Sequence, residues 1–393
     1  MNILFYSSFY PSPMSGGVER STWNLFQGLQ ERFLHTCHVL YDRRKFEITN
    51  PPKTIVQIPQ SDKQQQISFI RKYLTDHQIQ IIIIQGIYDK LSYFAEAAHD
   101  EILIAYVFHG EPAFPYKTFT IDYICSLIKY RGRVSWGVHR LLKFPMRKLK
   151  LRYELYLRHK QTNQAADYFV FLSRYCANAY KRYSFSSIED RSFVIPNSLS
   201  FDIEGDESII KHKQKHVLLV ARFEEFTKRI LWALKIWNRV QCKYHLDDWV
   251  LDIVGDGEDR DLYENYLQAH PTKNIVFHGT CDSQPFYKKA AIYIQTSITE
   301  CFPLTILEAK QLGCVPIAFK SYAAAPDLIT QNRDGYLIKE GRINKFAKTI
   351  YELAKDDDMR NKMALAAMQS VDRFSKEKVL NLWDSMLTKI IQQ

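Results

Sequence analysis

Short apolar runs recur along the chain, separated by longer stretches in which apolar residues return every three or four positions. The first pattern predicts strands and the second predicts helices with one buried face. In the first half the strand-like runs are 3–7, 38–41, 81–85, 102–108 and 168–172, with helical patterns over 19–31, 68–77 and 90–98. A second series follows at 216–221, 249–254, 275–278, 292–295 and 315–319, again with helical patterns between the runs. Such alternation argues for parallel sheets covered on both faces. Between the two series, the polar stretch 202–215 reads as a linker, which places a boundary near Leu199. The last segment, 356–391, is helical, with Met363, Phe374, Val379, Trp383 and Leu387 among its apolar positions, and is expected to pack across both halves. The predicted architecture is α/β: two doubly wound domains, 1–198 and 199–375, and a helix at 376–393 returning to the first. Ligands of such sheets bind outside the carboxyl ends of the strands, here in a cleft between the domains.

Length and composition sharpen this picture. At 393 residues the chain is long for one core, and 46% hydrophobic content is ample for two. Seven scattered cysteines lack zinc or disulfide spacing, which points to a reducing cytosol. The start at 2–6 is strand-like and lacks signal-peptide features, and the apolar stretch 79–84 is too short to span a bilayer. The net charge of +10 is concentrated: residues 131–160 hold ten bases against one acid, Glu154. Apolar and aromatic residues are interleaved with Arg140, Lys143, Arg147, Lys148, Lys150 and Arg152. These six are candidate contacts to an anionic membrane. A solvated basic helix with its apolar residues facing the core gives the same pattern, whereas nucleic acid is disfavoured because no nucleic-acid motif accompanies the charge.

The candidate chemistry lies at strand ends. Glu300 and Glu308 flank a predicted helix at 303–312, with Pro303 suited to its first position and Gly313 just past its end. Its N-terminus would seat a phosphate, with Glu300 beside that anion and Glu308 roughly 7.5 Å along the axis from Pro303. A solvated helix end or capping arrangement would give the same spacing, and a glycosidase pair about 5 to 5.5 Å apart fits this geometry poorly. Cys301 reads as a small residue in a tight turn. Gly16 and Gly17 follow the first strand, where backbone can approach a phosphate or sugar closely. The absence of a strict G-x-G-x-x-G weakens a nicotinamide-enzyme reading. His109 follows the 102–108 strand, and Arg222 and Lys228 follow the 216–221 strand, where a planar fork and a point charge suit a diphosphate.

In this order the chain resembles the retaining GT-B glycosyltransferases of family 4 over nearly its whole length. The resemblance is carried by Gly16-Gly17-Val18-Glu19, Phe108-His109-Gly110, Ile195-Pro196-Asn197, Ala221-Arg222 with Lys228-Arg229, Val254-Gly255-Asp256-Gly257, Phe277-His278-Gly279, and Glu300 through Glu308 with Gly313-Cys314-Val315-Pro316. It implies a GT-B fold of two Rossmann-like domains and a sugar transferred from a nucleotide donor, UDP-linked in the first instance, without a metal cofactor. Arg222 and Lys228 would neutralise the donor diphosphate, with Phe302, Leu304 and Thr305 beside it. Glu308 would hold the ribose, Glu300 and His109 would contact the transferred sugar, and Gly16 and Gly17 would line the cleft. The chain departs from the family pattern at Cys301 and Pro303, at Ser198, and at Ala323-Ala324-Ala325-Pro326-Asp327, positions that bear on sugar selection. The expected protein is a cytoplasmic hexosyltransferase, peripheral at the inner membrane face, acting on a saccharide or lipid-linked acceptor of a surface glycan. A non-catalytic subunit of a glycan-assembly complex and a nucleotide-sugar epimerase are the alternatives.

Overall fold

A computed structural model describes residues 1–12, 16–44, 51–86, 88–131, 133–201 and 206–392. Ser15 of the glycine turn and residues 202–205 of the predicted linker lie outside them. The chain divides into two compact units: Met1–Pro112 with Glu154–Ser198 and Phe374–Gln393, and Ala113–Tyr153 with Leu199–Arg373.

The first unit is built on β1 (Asn2–Phe9), β2 (Thr36–Arg43), β3 (Ile55–Gln57), β4 (Ile81–Gln85), β5 (Leu103–Phe108), β6 (Tyr168–Phe171) and β7 (Ser192–Val194). They form one sheet in the order β3-β2-β1-β4-β5-β6-β7, with each pairing parallel. Ile81 to Ile84 of β4 are fully buried, the unbroken apolar run that a strand covered on both faces requires. The helix Lys376–Ile391 joins this unit, where Glu377 pairs with Arg32 at 2.6 Å and Asp384 meets His35 at 3.0 Å. The preceding helix, Asp357–Ser370, belongs to the second unit, so the segment 356–391 is shared between the two.

The second unit has β8 (Gln214–Val220), β9 (Val250–Val254), β10 (Ile275–Gly279), β11 (Ala290–Gln295), β12 (Val315–Phe319) and β13 (Tyr336–Ile338), again parallel, in the order β10-β9-β8-β11-β12-β13. The three-residue edge strands β3, β7 and β13 carry too little alternation for the sequence to announce them. The stretch after 205 is docked structure where a linker was expected. Glu207–His212 forms a 3-10 helix, and the Lys213 ammonium donates to the carbonyls of Tyr287 at 2.6 Å and Leu312 at 2.5 Å. Leu312 caps the helix Leu304–Gln311, and a cation suits the carbonyls and partial negative charge of a helix C-terminus.

Residues 113–153 leave the first unit's chain order and pack on the second. They contain the helices Ile121–Arg131 and Val134–Leu142 and the opening of Phe144–Ala165. Gly137 permits the first two helices to touch, since a Cβ there would lie 2.1 Å from Ile128 Cγ1. A small separate core of Phe119, Ile124 and Leu151 gathers Tyr123, Phe144 and Phe226 around it. The anchor is Arg229, whose fully buried guanidinium donates to Thr120 Oγ1 at 2.6 Å and Asp122 Oδ2 at 3.3 Å. Trp232 Nε1 donates to the same Asp122 oxygen at 3.2 Å.

Candidate functional site

In the second sheet, strand order reverses between β8 and β11, and crevices at such switch points are where doubly wound sheets bind ligands. The loops leaving these two strands are stitched together. Ile298 N donates to Thr227 O at 2.9 Å, and Thr296 Oγ1 donates to Lys228 O at 3.0 Å. The stitching brings Lys228 Nζ to Glu300 Oε1 at 2.6 Å, where Ser297 Oγ donates to the same oxygen at 2.7 Å. The Lys228 and Glu300 side chains are 23% and 15% exposed, so the pair is partly desolvated but open to a ligand. Residues 72 apart in sequence thus form one polar centre.

Lys228 is aimed by the backbone around it. The one-turn helix Glu225–Lys228 ends at Arg229, which has φ 52°, and a new helix, Ile230–Tyr244, starts at once. A non-glycine residue in this left-handed region costs about 1–3 kcal/mol and persists only where surroundings over-determine it. Here they include the Arg229 contacts to Thr120 and Asp122 and a buried acid. Glu225 Oε2 accepts from Leu231 N at 3.0 Å, bridging the break, while its own N–H donates to Asp259 Oδ2 at 2.5 Å. Burial pushes the Glu225 carboxyl up to about 7, against the opposing pull of the Arg229 guanidinium.

Arg222 sits just past β8, highly exposed, with its guanidinium on Glu224. Its loop is fixed by the two glycines after β9. A Cβ on Gly255 would lie 1.9 Å from Ala221 O, and one on Gly257 would lie 2.6 Å from Phe223 O. Both glycines have positive φ, 133° and 158°. Through this contact Phe223 N donates to Asp256 O at 2.9 Å, so the Val254-Gly255-Asp256-Gly257 sequence supports the loop that carries Arg222.

The helix behind Glu300 runs Leu304–Gln311, one residue shorter at each end than expected. Pro303 has ψ 115° and stands as the N-cap, so Leu304 and Thr305 carry the first helical N–H groups. Phe302 is buried beside this turn. Gln295 Nε2 lies 3.4 Å from Thr305 Oγ1, and Tyr322 OH donates to Gln295 Oε1 at 2.6 Å, tying the β11 end to the helix start. Glu308 is buried within the unit. After burial itself, its charge is the next cause holding the Tyr287 hydroxyl well above the usual phenol range.

The first unit collects its own candidates at the carboxyl ends of β1, β4 and β5, where strand order reverses between β1 and β4. Gly16 is the N-cap of the helix Gly17–Phe33, and both glycines are exposed. His109 Nε2 meets Gln85 Oε1 at 2.5 Å, a contact in which the ring donates in its Nε2–H tautomer. Gly86, at φ 75°, makes room, because a Cβ there would be 2.9 Å from His109 Cβ. Burial lowers the His109 pKa to about 4, so it is neutral at physiological pH.

Of the six basic candidates, Lys148 turns inward: its ammonium donates to Tyr116 O and lies 4.3 Å from the Tyr116 ring centroid. The Arg140 guanidinium lies over Trp136, 5.2 Å from the ring centroid. Arg147 and Arg152 are half-buried, and Lys143 and Lys150 are exposed. Ser297, Glu225, Arg229 and Gln85 were absent from the sequence-derived site. Arg229 adjoins Lys228 and reads as a second surface base; Gln85 meets His109 24 residues away, and Ser297 and Glu225, whose partners Glu300 and Leu231 lie three and six residues on, sit in no spacing that marks a site. Among the described residues no group of three or more His, Cys, Asp or Glu is placed to hold a metal ion. No helix among them is long and apolar enough to cross a membrane.

Comparison with known proteins places these features in context. Residues 201–370 match the family described as Glycosyl transferases group 1. An uncharacterized glycosyltransferase of Haemophilus influenzae is 26% identical over 198 residues, 50% of this chain and 54% of that protein. The amylovoran biosynthesis glycosyltransferase AmsD of Erwinia amylovora is 26% identical over 201 residues, 50% of this chain and 55% of its own. The chain thus spans about half the length of these curated relatives. Across its full length the fold is that of GT-B glycosyltransferases: Anabaena HepE, solved in complex with UDP-glucose, superposes with a TM-score of 0.72 over 99% of this chain and 100% of that one, at 16% identity.

Proposed function

We propose that this chain, whose residues 201–370 match the group 1 glycosyltransferases, transfers a hexose from a UDP-linked donor to a saccharide or lipid-linked acceptor with retention of anomeric configuration. The observation that carries the reading is the Lys228–Glu300–Ser297 centre at the switch point of the second sheet. Departure of a nucleoside diphosphate builds negative charge on phosphate and positive charge on the sugar ring. A cation, an exposed guanidinium and helix N–H groups beside a carboxylate match that pair of charges.

In this reading Lys228, Arg222 and the amides of Leu304 and Thr305 take the diphosphate, with Phe302 packing the turn. Glu308 takes the ribose hydroxyls, and Glu300 faces the sugar. The C1–O bond to the diphosphate breaks with its electron pair passing to the leaving oxygen. The acceptor hydroxyl oxygen forms the new bond to C1 on the same face, and its proton passes to a phosphate oxygen. On the first unit, His109 offers a neutral hydrogen-bonding group for a sugar hydroxyl, and the exposed Gly16 and Gly17 leave room for close approach to the backbone. The UDP-glucose complex of HepE supports the donor class, and the amylovoran biosynthesis in the name of AmsD supports a biosynthetic acceptor. The enzyme would work in the cytoplasm at the inner face of the membrane, where a lipid-linked acceptor is available.

The test is a thermal-shift screen of UDP-, GDP- and ADP-sugars followed by transfer assays with the stabilising donor. A UDP-sugar should raise Tm, and Lys228→Ala and Glu300→Ala should each lose transfer while melting as the parent does. Full turnover in either variant would end the assignment. Donor binding with no transfer, or isomerisation of the donor alone, would favour the non-catalytic or epimerase reading.

A further inference from the structure

The segment 133–153 presents an apolar ridge to solvent. Val134, Val138 and Leu142 recur every four residues along the helix Val134–Leu142. Met146, Leu149 and Tyr153 follow at spacings of three and four on Phe144–Ala165, which places them on one face. Leu142, Met146 and Leu149 are 78%, 74% and 74% exposed. Leu151 and Leu155 of the latter helix are buried, so it is apolar on two faces, only one of which the fold covers. The sequence alternative, in which the apolar residues of the basic stretch all face the core, therefore fails for these six.

We propose that this ridge inserts into the headgroup boundary of an anionic lipid bilayer. The inference deepens the functional reading above, since it names the surface that would seat the enzyme near a lipid-linked acceptor. Charge chooses the occupant. Residues 133–153 contain Arg133, Arg140, Lys143, Arg147, Lys148, Lys150 and Arg152 and no Asp or Glu. Lys148 is turned inward, so the electrostatic contribution comes chiefly from the exposed Arg133, Lys143 and Lys150. An interfacial surface of this kind combines buried apolar area with attraction to anionic headgroups. Its two contributions respond differently to salt, because screening weakens the charge component and leaves apolar burial in place. The ridge is also braced, since the buried Arg229 ties the start of the Ile121–Arg131 helix to the second unit.

The test is vesicle flotation of the full chain with phosphatidylglycerol-containing and pure phosphatidylcholine vesicles, at low and high salt. The parent should bind the anionic vesicles, retain part of that binding at high salt, and bind the neutral ones more weakly. Leu142→Glu/Met146→Glu/Leu149→Glu should reduce partitioning at least about tenfold at both salt levels, since charges replace inserting side chains. Lys143→Gln/Lys150→Gln should lose binding chiefly at low salt. A thermal melt guards against misfolding, and the milder Val138→Ser/Tyr153→Ser variant should lower partitioning even if the triple variant unfolds. Failure of the parent to bind anionic vesicles, or equal binding by both apolar variants, overturns the proposal. Self-association of the parent that the triple variant abolishes, without vesicle binding, would assign the ridge to a second copy instead. UDP-sugar binding in solution reads the donor site separately, so it distinguishes failure here from failure of the transferase reading.

Discussion

Glu300→Gln should tighten UDP while stopping transfer, two effects of opposite sign from one side chain. In the ligand-free protein the Lys228 ammonium is committed to Glu300 at 2.6 Å, and a diphosphate must draw it away while approaching a carboxylate of like charge. Glutamine keeps the size of Glu300 and an oxygen for Ser297 Oγ, now 2.7 Å away, but gives up the charge. The side chains are 23% and 15% exposed, which puts the pair between two regimes. A fully exposed ion pair contributes ~0–1 kcal/mol, and a hydrogen bond to a charged group about 1.5–3 kcal/mol. Taking about 1–2 kcal/mol as the competition removed, the Kd for UDP should fall roughly 5- to 30-fold. Calorimetric titration with UDP at fixed ionic strength measures this directly, and transfer from a UDP-sugar is followed in parallel. A Lys228→Met background supplies the cycle, because without the ammonium most of the gain should vanish. A Kd unchanged within about twofold, or weakened, would refute the idea that Glu300 holds Lys228 in competition with the donor.

Four further outcomes follow from the same geometry. The Glu225 carboxyl is raised from 4.5 to about 7, so the folded state binds an extra proton between those values and loses stability as pH rises through them. Glu225→Gln should abolish that loss, gaining up to about 3 kcal/mol relative to the parent between pH 5 and 8 in paired thermal melts; a pH-independent difference would contradict the assignment. Arg229→Ala removes the buried cation under residues 113–153 and its charge-assisted hydrogen bonds, and should destabilise the second unit by about 2–3 kcal/mol, with a raised KM for donor as Lys228 loses its aim. An unchanged melt and KM would remove Arg229 from that role. Gly255→Ala places a Cβ 1.9 Å from a backbone oxygen at φ 133°, so its Tm should drop by several degrees, and a parent-like Tm would mean the loop can move. His109 should stay neutral down to about pH 4, so the acid limb of the transfer profile should not fall near 6.5 from this residue. A limb there that disappears in His109→Asn would show otherwise.

The sequence by itself determined the longer strands and the residue types that stand at their ends. Alternating apolar runs such as 81–85 and 315–319 coincide with β4 and β12 because a strand buried on both faces must be apolar throughout, a local requirement visible in any window. Glycines at 255 and 257, an arginine after a strand and two glutamates around a short helix are likewise local signals, each fixed by backbone geometry within a few residues. Only the tertiary structure decided what depends on distant partners. Periodicity marks a residue as buried without saying in which body, and so it could not assign 113–153 to the second unit. A base after a strand reads the same whether it reaches a ligand, as Lys228 can, or disappears beneath another segment, as Arg229 does. Lys148 and Lys213 looked like surface charge because the sequence does not show the carbonyls of Tyr116, Tyr287 and Leu312 that receive them. Those partners are fixed by chain packing, which brings together groups whose separation along the sequence carries no trace of the contact.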